Sequence, residues 1–274
     1  DAAGKPVAEA FVWLEGIGDR TWMGDEYPVV ESVVAGRKDA PLVRSDASGA
    51  FRIRGLLPRN YRIDAMDAKT LAVGSAEGVA AGRSDVRIAI PANATHARLA
   101  GRVESLGGEP LAGIQVRPAR MTFHTFRMAY TEDLPLVTTD AQGRFELRDV
   151  AREGVFIQAV GESIIPGDVA APFANPEDVH IVVSRRCHMQ VELVDANEGV
   201  DGFSVFDADG KRLVIRSFRG PMTISSDSES IDSGRSKVVG VDETAKTMAL
   251  FRKDKEVRRV PLALKPGELT VVRP

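Results

Sequence analysis

Cysteine is almost missing from this chain, with Cys187 standing alone among 274 residues. One thiol supplies neither an intrachain disulfide framework nor a Cys-x-x-Cys zinc cluster. Its setting, after Arg185 and Arg186 and before His188, reads as a half-buried thiol at a strand start rather than a reactive one. Histidine is scarce as well: His96, His124, His180 and His188 show no i, i+2 or i, i+4 pairing that would converge on a metal, so no metal and no cofactor is expected. No run of about 18 apolar residues exists to make a helical membrane span. A Gly-x-Ser-x-Gly elbow, a phosphate loop and a dinucleotide fingerprint are all absent, so no catalytic residues are assigned and no enzyme is expected. The net charge of -3 and a pI near 5.9 argue against a nucleic-acid or anionic-membrane footprint.

What is present is a text spelled twice. Gly4-Lys-Pro-Val-Ala-Glu-Ala-Phe-Val is answered by Gly108-Glu-Pro-Leu-Ala-Gly-Ile-Gln-Val, and Asp46-Ala-Ser-Gly-Ala-Phe-Arg-Ile-Arg by Asp140-Ala-Gln-Gly-Arg-Phe-Glu-Leu-Arg. A period of roughly 100 residues is too long for a solenoid and fits small domains in tandem. A hydrophobic share of 43% against 27% charge is ordinary for a soluble protein, and units of about 90 residues bury a core without staples.

The local pattern is period-two alternation in short runs bounded by Gly, Pro, Asp and Asn, which reads as antiparallel strands. In the first repeat the expected strands are Ala10–Leu14, Leu42–Ser45, Ala50–Arg54, Asn60–Met66 and Val86–Ile90. In the second they are Leu99–Glu104, Gly113–Arg117, Leu136–Thr139, Arg144–Arg148, Val155–Val160 and Val179–Val183. Asp46-Ala-Ser-Gly49, Asp140-Ala-Gln-Gly143 and Asp207-Ala-Asp-Gly210 read as hairpin turns, in which Asp accepts from backbone N–H groups and Gly supplies a positive φ. A calcium loop needs more oxygen ligands than these turns provide. Aligning the copies assigns faces: Val12 with Val116, Phe51 and Ile53 with Phe145 and Leu147, and Tyr61, Ile63 and Ala65 with Val155, Ile157 and Ala159 point inward. Gln115 and Arg117 then face outward, and so do Phe11 and Trp13 at the same places in the first copy.

The last third keeps the strand grammar without the text and reads as a diverged third sandwich. The expected domains are therefore residues 1–91, 92–186 and 187–274, joined by the short polar segments Pro91–His96 and Ser184–Arg186, which leave little slack. The chain starts at Asp1 rather than Met, and the strand Arg98–Glu104 ahead of Gly108 has no counterpart in the first repeat, so we expect a piece of a longer protein.

Gly4, Pro6, Val7, Ala10 and Val12, followed by Asp46, Gly49, Phe51, Ile53, Gly55, Leu56, Tyr61, Ile63 and Ala65, resemble the carboxypeptidase regulatory-like domain of the transthyretin-like (prealbumin-like) superfamily. The second repeat is similar through Gly108, Pro110, Leu111, Val116, Asp140, Gly143, Phe145, Leu147, Val150 and Ile157, and departs where Asp149 replaces the Gly and Val155 the Tyr. The resemblance implies an all-β fold of tandem antiparallel sandwiches with Ig-like Greek-key connections. It also implies a non-catalytic, extracytoplasmic module, periplasmic, cell-surface or secreted, whose partners are other domains of a parent protein.

Two connections stand out because the copies do not share them. The insertion Glu15–Ala40 carries Trp22 and Tyr27 close to the outward Phe11 and Trp13. These four residues make either a stacking platform for a polysaccharide or protein ligand or a local minicore folded over the strand. The matching connection of the second repeat carries Phe123, Phe126 and Tyr130, whose alternation slips by one residue, as at a bulge or hairpin. The functional expectation is a spacer and protein-interaction array within a larger surface or secreted protein. Its alternatives are a carbohydrate-binding module and accessory domains positioning a peptidase elsewhere in the parent chain.

Overall fold

The computed structural model describes residues 1–15, 43–121, 128–129, 136–195, 199–219 and 222–274. Every extended regular element among them is a β-strand, as the alternation demands. Contacts gather the described chain into two compact units. One holds Asp1–Arg102, Gln115–Gln158 and Asp168–Ile181; the other holds Val103–Ile114, Ala159–Gly167 and Val182–Pro274.

The first repeat forms one antiparallel sheet from β1 (Phe11–Glu15), β2 (Val43–Arg44), β3 (Asn60–Met66) and β4 (Val73–Ala80), in the order β2-β1-β3-β4. β3 falls on its expected span because Tyr61, Ile63 and Ala65 alternate with polar neighbours and are buried. The inward residues Val12, Leu14, Tyr61 and Ile63 form a cluster covered by Phe51, Ile53, Leu56, Val86 and Ile88. The Tyr61 hydroxyl donates to the Leu57 carbonyl at 3.0 Å, fixing the corner that leads into β3.

The next strands are β5 (Thr95–Ser105), β6 (Gln115–Met121), β7 (Met128–Ala129), β8 (Val137–Thr138), β9 (Arg144–Ala151), β10 (Phe156–Val160), β11 (Gly167–Ala170) and β12 (Val179–Val183). They make one sheet ordered β12-β5-β9 and another ordered β11-β10-β6-β7, with β8 also on β6. The inward positions inferred from the alignment, Val116, Phe145, Leu147, Val155, Ile157 and Ala159, are all buried, as are Val179 and Ile181 on β12.

The last third contributes β13 (Arg186–Val191), β14 (Gly202–Phe206), β15 (Arg212–Leu213), β16 (Ile215–Arg219), β17 (Met222–Ser226), β18 (Glu229–Asp232), β19 (Arg235–Ser236), β20 (Val239–Asp242), β21 (Thr247–Arg252), β22 (Lys255–Pro261) and β23 (Leu269–Val272). One sheet runs β17-β16-β20-β13-β23 and the other β19-β18-β14-β21-β22, with β15 on β14. Met189, Val191 and Val239 from the first and Phe203, Val205 and Leu250 from the second share one core, which makes the pair a sandwich. β13 and β23 pair in parallel, so the fold is not antiparallel throughout. The β21–β22 turn is a two-residue hairpin with φ of 47° at Lys253 and 64° at Asp254, the positive-φ geometry that matches strand twist.

One turn recurs along the chain. The N–H groups of Ser48 and Ala50 donate to Asp46 Oδ1 at 2.8 and 3.0 Å, Gly49 N–H donates to the Asp46 carbonyl at 2.9 Å, and Gly49 has φ of 75°. Asp140 accepts from Gln142 and Arg144 at 2.9 Å each, and Asp207 from Asp209 and Lys211 at 3.0 and 2.8 Å, with Gly143 and Gly210 at φ of 70° and 78°. Two further copies were not anticipated. Asp1 accepts from Ala3 and Lys5 at 3.0 and 2.9 Å, and Ser105 Oγ accepts from Gly107 and Glu109 at 3.2 Å each, with Gly4 and Gly108 both at φ of 79°. These are three-residue hairpin loops closed by a left-handed glycine, with the side-chain oxygen capping two backbone donors.

Two expected strands do not form ladders. Residues 50–54 and 86–90 are extended and lie over the first repeat's sheet, yet no strand is assigned to them. In the second repeat the matching segments are β9 and β12, and both pair with β5 between them. Among the described residues the first repeat has no strand at that place, so alternation sets the faces of 50–54 and 86–90 without a ladder partner among them. β4 was not foreseen because Gly74 and Gly78 interrupt its hydrophobic pattern.

Candidate functional site

The outward face of β1 is where sequence placed a binding platform. Phe11 and Trp13 are two residues apart on one strand, so they share a face, and both are half-buried. Register puts Met66 opposite Phe11 and Asp64 opposite Trp13, and continues from Asp64 to Ser75 on β4. The Arg44 guanidinium stacks over the Phe11 ring with its carbon 4.4 Å from the centroid, and it also bonds the Glu9 carboxylate at 3.1 Å.

Beside Trp13 lies a polar trio. Asp64 is 5% exposed, and it accepts from the Ser75 hydroxyl at 2.6 Å and from Arg62 Nε at 3.1 Å. A buried carboxylate is tolerated where a guanidinium and a hydroxyl satisfy it, and here both come from neighbouring positions of the same face. Sequence reasoning named Phe11 and Trp13 but not Arg44, Asp64 or Ser75. They are separated from β1 by tens of residues, and only the β1–β3–β4 register brings them alongside. Trp22 and Tyr27 lie outside the described residues, as do Phe123, Phe126 and Tyr130, so no position is assigned to them.

A second polar surface is an open cleft of about 620 Å³ beside β5 and β9, lined in part by Arg98, Arg102, Arg144, Glu146, Glu177 and Asp178. Several of its charges are matched to one another. Arg98 bonds Glu146 at 2.9 Å and also pairs with Glu177, while Arg102 meets His180 Nδ1 at 3.4 Å. The hydrogen bond from Arg98, reinforced by Arg148, holds the Glu146 carboxyl below the usual carboxylate range. That direction keeps Glu146 ionised and unsuited to general-acid work near neutrality, and such exposed pairs, screened by solvent, add little to stability.

Cys187 is fully buried on β13, deeper than the half-buried thiol expected at a strand start. Burial, with Glu243 and Asp242 nearby, pushes its thiol up to about 11. At neutral pH it is a protonated core side chain, since nucleophilic or metal-binding work needs the thiolate. Among the described residues no group of three or more His, Cys, Asp or Glu side chains converges as a metal site, and no helix is long and apolar enough to cross a membrane.

The segments read as linkers are fastened. Ser184 Oγ donates to Asp242 at 2.8 Å, Arg185 N–H and Nε donate to Glu243 at 2.9 and 3.2 Å, and Arg185 Nη2 reaches Glu109 at 2.6 Å. At the other segment, Arg152 N–H donates to the Ala94 carbonyl at 2.8 Å and its Nε to the Thr95 carbonyl at 2.9 Å. Ala151 N–H donates to the Thr70 carbonyl at 3.0 Å, while Arg120 bonds the Leu71 and Glu153 carbonyls and packs on Gly154.

No family model and no curated protein matches the chain. Among solved structures, it is similar to the Streptococcal ancillary pilin at 10% identity, covering 99% of this chain and 94% of that one with a TM-score of 0.29. It is similar to the minor pilin GBS52 of Streptococcus agalactiae at 12% identity, over 65% of this chain and 94% of that one, with a TM-score of 0.25. The shaft pilin SpaA of Lactobacillus rhamnosus GG aligns at 11% identity over 64% of this chain and 96% of that one, with a TM-score of 0.24. Likenesses this distant carry no activity or partner to this chain.

Proposed function

We propose that this chain is a non-catalytic, extracytoplasmic array of β-sandwich modules, residues 1–91, 92–186 and 187–274, serving as spacer and protein-interaction segment of a larger surface or secreted protein. The first two modules are tandem carboxypeptidase regulatory-like copies. The observation that supports this reading most directly is the fastening of both short joints. A spacer transmits position only if its joints resist bending, and Ser184–Arg186 is held by side chains from residues 109, 242 and 243. Several other described carboxylates cap backbone turns, as Asp46, Asp140 and Asp207 do, or make exposed ion pairs, as Glu146 does, which is how a scaffold uses them.

The test exploits the Arg185-Arg186 pair, a ready tryptic site in a slack linker. Native chain resists trypsin there, because Arg185 and Arg186 lie in hydrogen-bonded backbone and Arg186 is 8% exposed. The double variant Glu109→Gln/Glu243→Gln speeds cleavage at this site on the order of 10-fold, as expected when a partly buried guanidinium loses its charge partners. Rapid cleavage of the native chain at Arg185-Arg186, or hydrolase activity of the chain itself, overturns the reading.

A second reading rests on the β1 face: paired aromatics beside the buried Asp64 carboxylate, held by the exposed Arg62 and Ser75, suit a sugar ring, which offers an apolar face for stacking and hydroxyls for the carboxylate. Polysaccharide pull-down that weakens about 10-fold or more in Trp13→Ala supports it. Binding that is indifferent to Trp13→Ala removes this face, and no binding to any polysaccharide removes the class.

A further inference from the structure

We propose that the outward face of the β16-β20-β13 ladder carries an oxyanion seat over Gly240, in which Arg186, Arg216 and His188 hold a doubly charged tetrahedral group, a phosphate or a sulfate. The inference goes beyond the spacer reading and does not depend on it.

Register builds the seat. His188 on β13 and Arg216 on β16 are both Cα partners of Gly240 on β20, so the three residues stand in one row across the sheet. Their chain neighbours Cys187, Met189 and Ile215 belong to the core, so alternation turns Arg186, His188 and Arg216 to the opposite face. Between the two flanking strands Gly240 contributes no side chain, and Arg186 uses the space. A Cβ at Gly240 would fall 3.0 Å from Arg186 Cδ and 3.6 Å from its Nε. The Arg186 stem therefore leaves its own row and crosses Gly240, carrying its guanidinium toward the row that holds His188 and Arg216.

The charges that converge there are of one sign and partly withdrawn from water. Arg186 is 8% exposed, while Arg216 and His188 are half-buried. Burial, and then the charge of Arg216, hold the Arg186 guanidinium below the usual arginine range, with Glu162 opposing. Burial lowers Arg216 as well, with Asp242 opposing. Asp242 stands opposite Arg186 in the ladder, yet its Oδ1 already accepts from the Ser184 hydroxyl at 2.8 Å and from the Thr244 N–H and hydroxyl at 2.8 and 2.7 Å.

Two neighbouring cations in a partly desolvated place repel one another, and a divalent anion between them replaces that repulsion with two attractions. Hydrogen bonds from guanidinium to an oxyanion are charge-assisted and directional. A single planar carboxylate is satisfied by one guanidinium fork. Two forks arriving from different strands suit oxygens that point in different directions, which is the tetrahedral case. The His188 imidazole adds a third donor from the same row.

The experiment titrates inorganic phosphate into the full chain at constant ionic strength, with chloride as the balancing ion. Calorimetry reads affinity, and NMR reads the Nε–H signals of Arg186 and Arg216 and the His188 ring. Saturable binding that moves these signals is expected. Arg216→Met should weaken it on the order of 10-fold or more, as expected when a charge-assisted donor is lost, and Arg216→Lys, which keeps the charge without the fork, should fall between. Denaturant unfolding in chloride alone shows that both variants remain folded. Phosphate that moves nothing at the seat overturns the proposal, and so does binding indifferent to both variants. Acetate binding more tightly than phosphate overturns the tetrahedral class. Methyl phosphate separates the sources: binding at least as tight as inorganic phosphate supports a group carried on a larger molecule, and weaker binding supports the free ion.

Discussion

Phe145 and Leu147 are 5% and 1% exposed, whereas Phe51 and Ile53, spelled in the same text, are half-buried. Both pairs point inward from an extended segment, so the difference arises from what lies beside them. One segment is a ladder strand alongside β5, and the other pairs with no strand among the described residues. The comparison teaches that an alternating pattern specifies the layer a segment occupies, while the backbone ladder requires a neighbour that the segment cannot specify. Burial in a two-layer sandwich is correspondingly cooperative, since a middle strand such as β5 covers the inward side chains on both of its flanks.

The largest effect that would sharpen this contrast is in the core. Leu147→Ala is expected to cost about 2–5 kcal/mol, the range for deleting a fully enclosed aliphatic side chain. Ile53→Ala should cost less than about half as much, because a half-buried side chain gives up less transfer energy and leaves a site that water already reaches. Urea denaturation of the two variants against the parent checks this. Equal losses would break the comparison, showing Ile53 to be as enclosed as Leu147.

How far sequence carried the reading follows from the same distinction. Inward residues of both repeats, the span of β3 and three of the five capped turns were legible, because alternation and an Asp-x-x-Gly spacing are local. The Ser105 turn was missed because serine stands in for aspartate, and the Asp1 turn because the given sequence shows an alternating run on one side of it only. Of the candidate binding face, Phe11 and Trp13 were legible from a comparison of copies that gave Gln115 and Arg117 at the same places. Arg44, Asp64 and Ser75 were not, since they reach that face only through cross-strand register, which depends on loop lengths and turn geometry. Fastening of Ser184–Arg186 was invisible for the same reason: its partners Glu109, Asp242 and Glu243 are distant in sequence.

A smaller effect separates two of the capped turns, one from each repeat. Gly49 and Gly108 both hold a positive φ, at 75° and 79°, so alanine at either place meets the left-handed penalty of about 1–2 kcal/mol. Only Gly49 is also crowded, with a Cβ there falling 3.0 Å from Pro6 Cβ, whereas Gly108 faces open space. Gly49→Ala should therefore destabilise more than Gly108→Ala under the same denaturant series. The reverse order would mean that the Pro6 segment yields freely.

The smallest effect is electrostatic and belongs to the first repeat's turn. The Ser48 hydroxyl, followed by the N–H groups of Ala50 and Ser48, holds the Asp46 carboxyl below its ordinary value of 3.8. A carboxylate whose folded pKa is depressed contributes stability above its unfolded pKa and loses it as pH falls through the folded value, so this contribution fades only in acid below about 4. Ser48→Ala should move the Asp46 titration back toward 3.8 without abolishing its downward displacement, since the two backbone donors remain. The Asp46 side-chain carbon, followed by NMR through an acid titration, reads this directly. A titration unmoved by Ser48→Ala would mean that the backbone donors alone set it. The hydroxyl, which Asp140 lacks because Gln142 stands at the matching place, would then no longer distinguish the two turns.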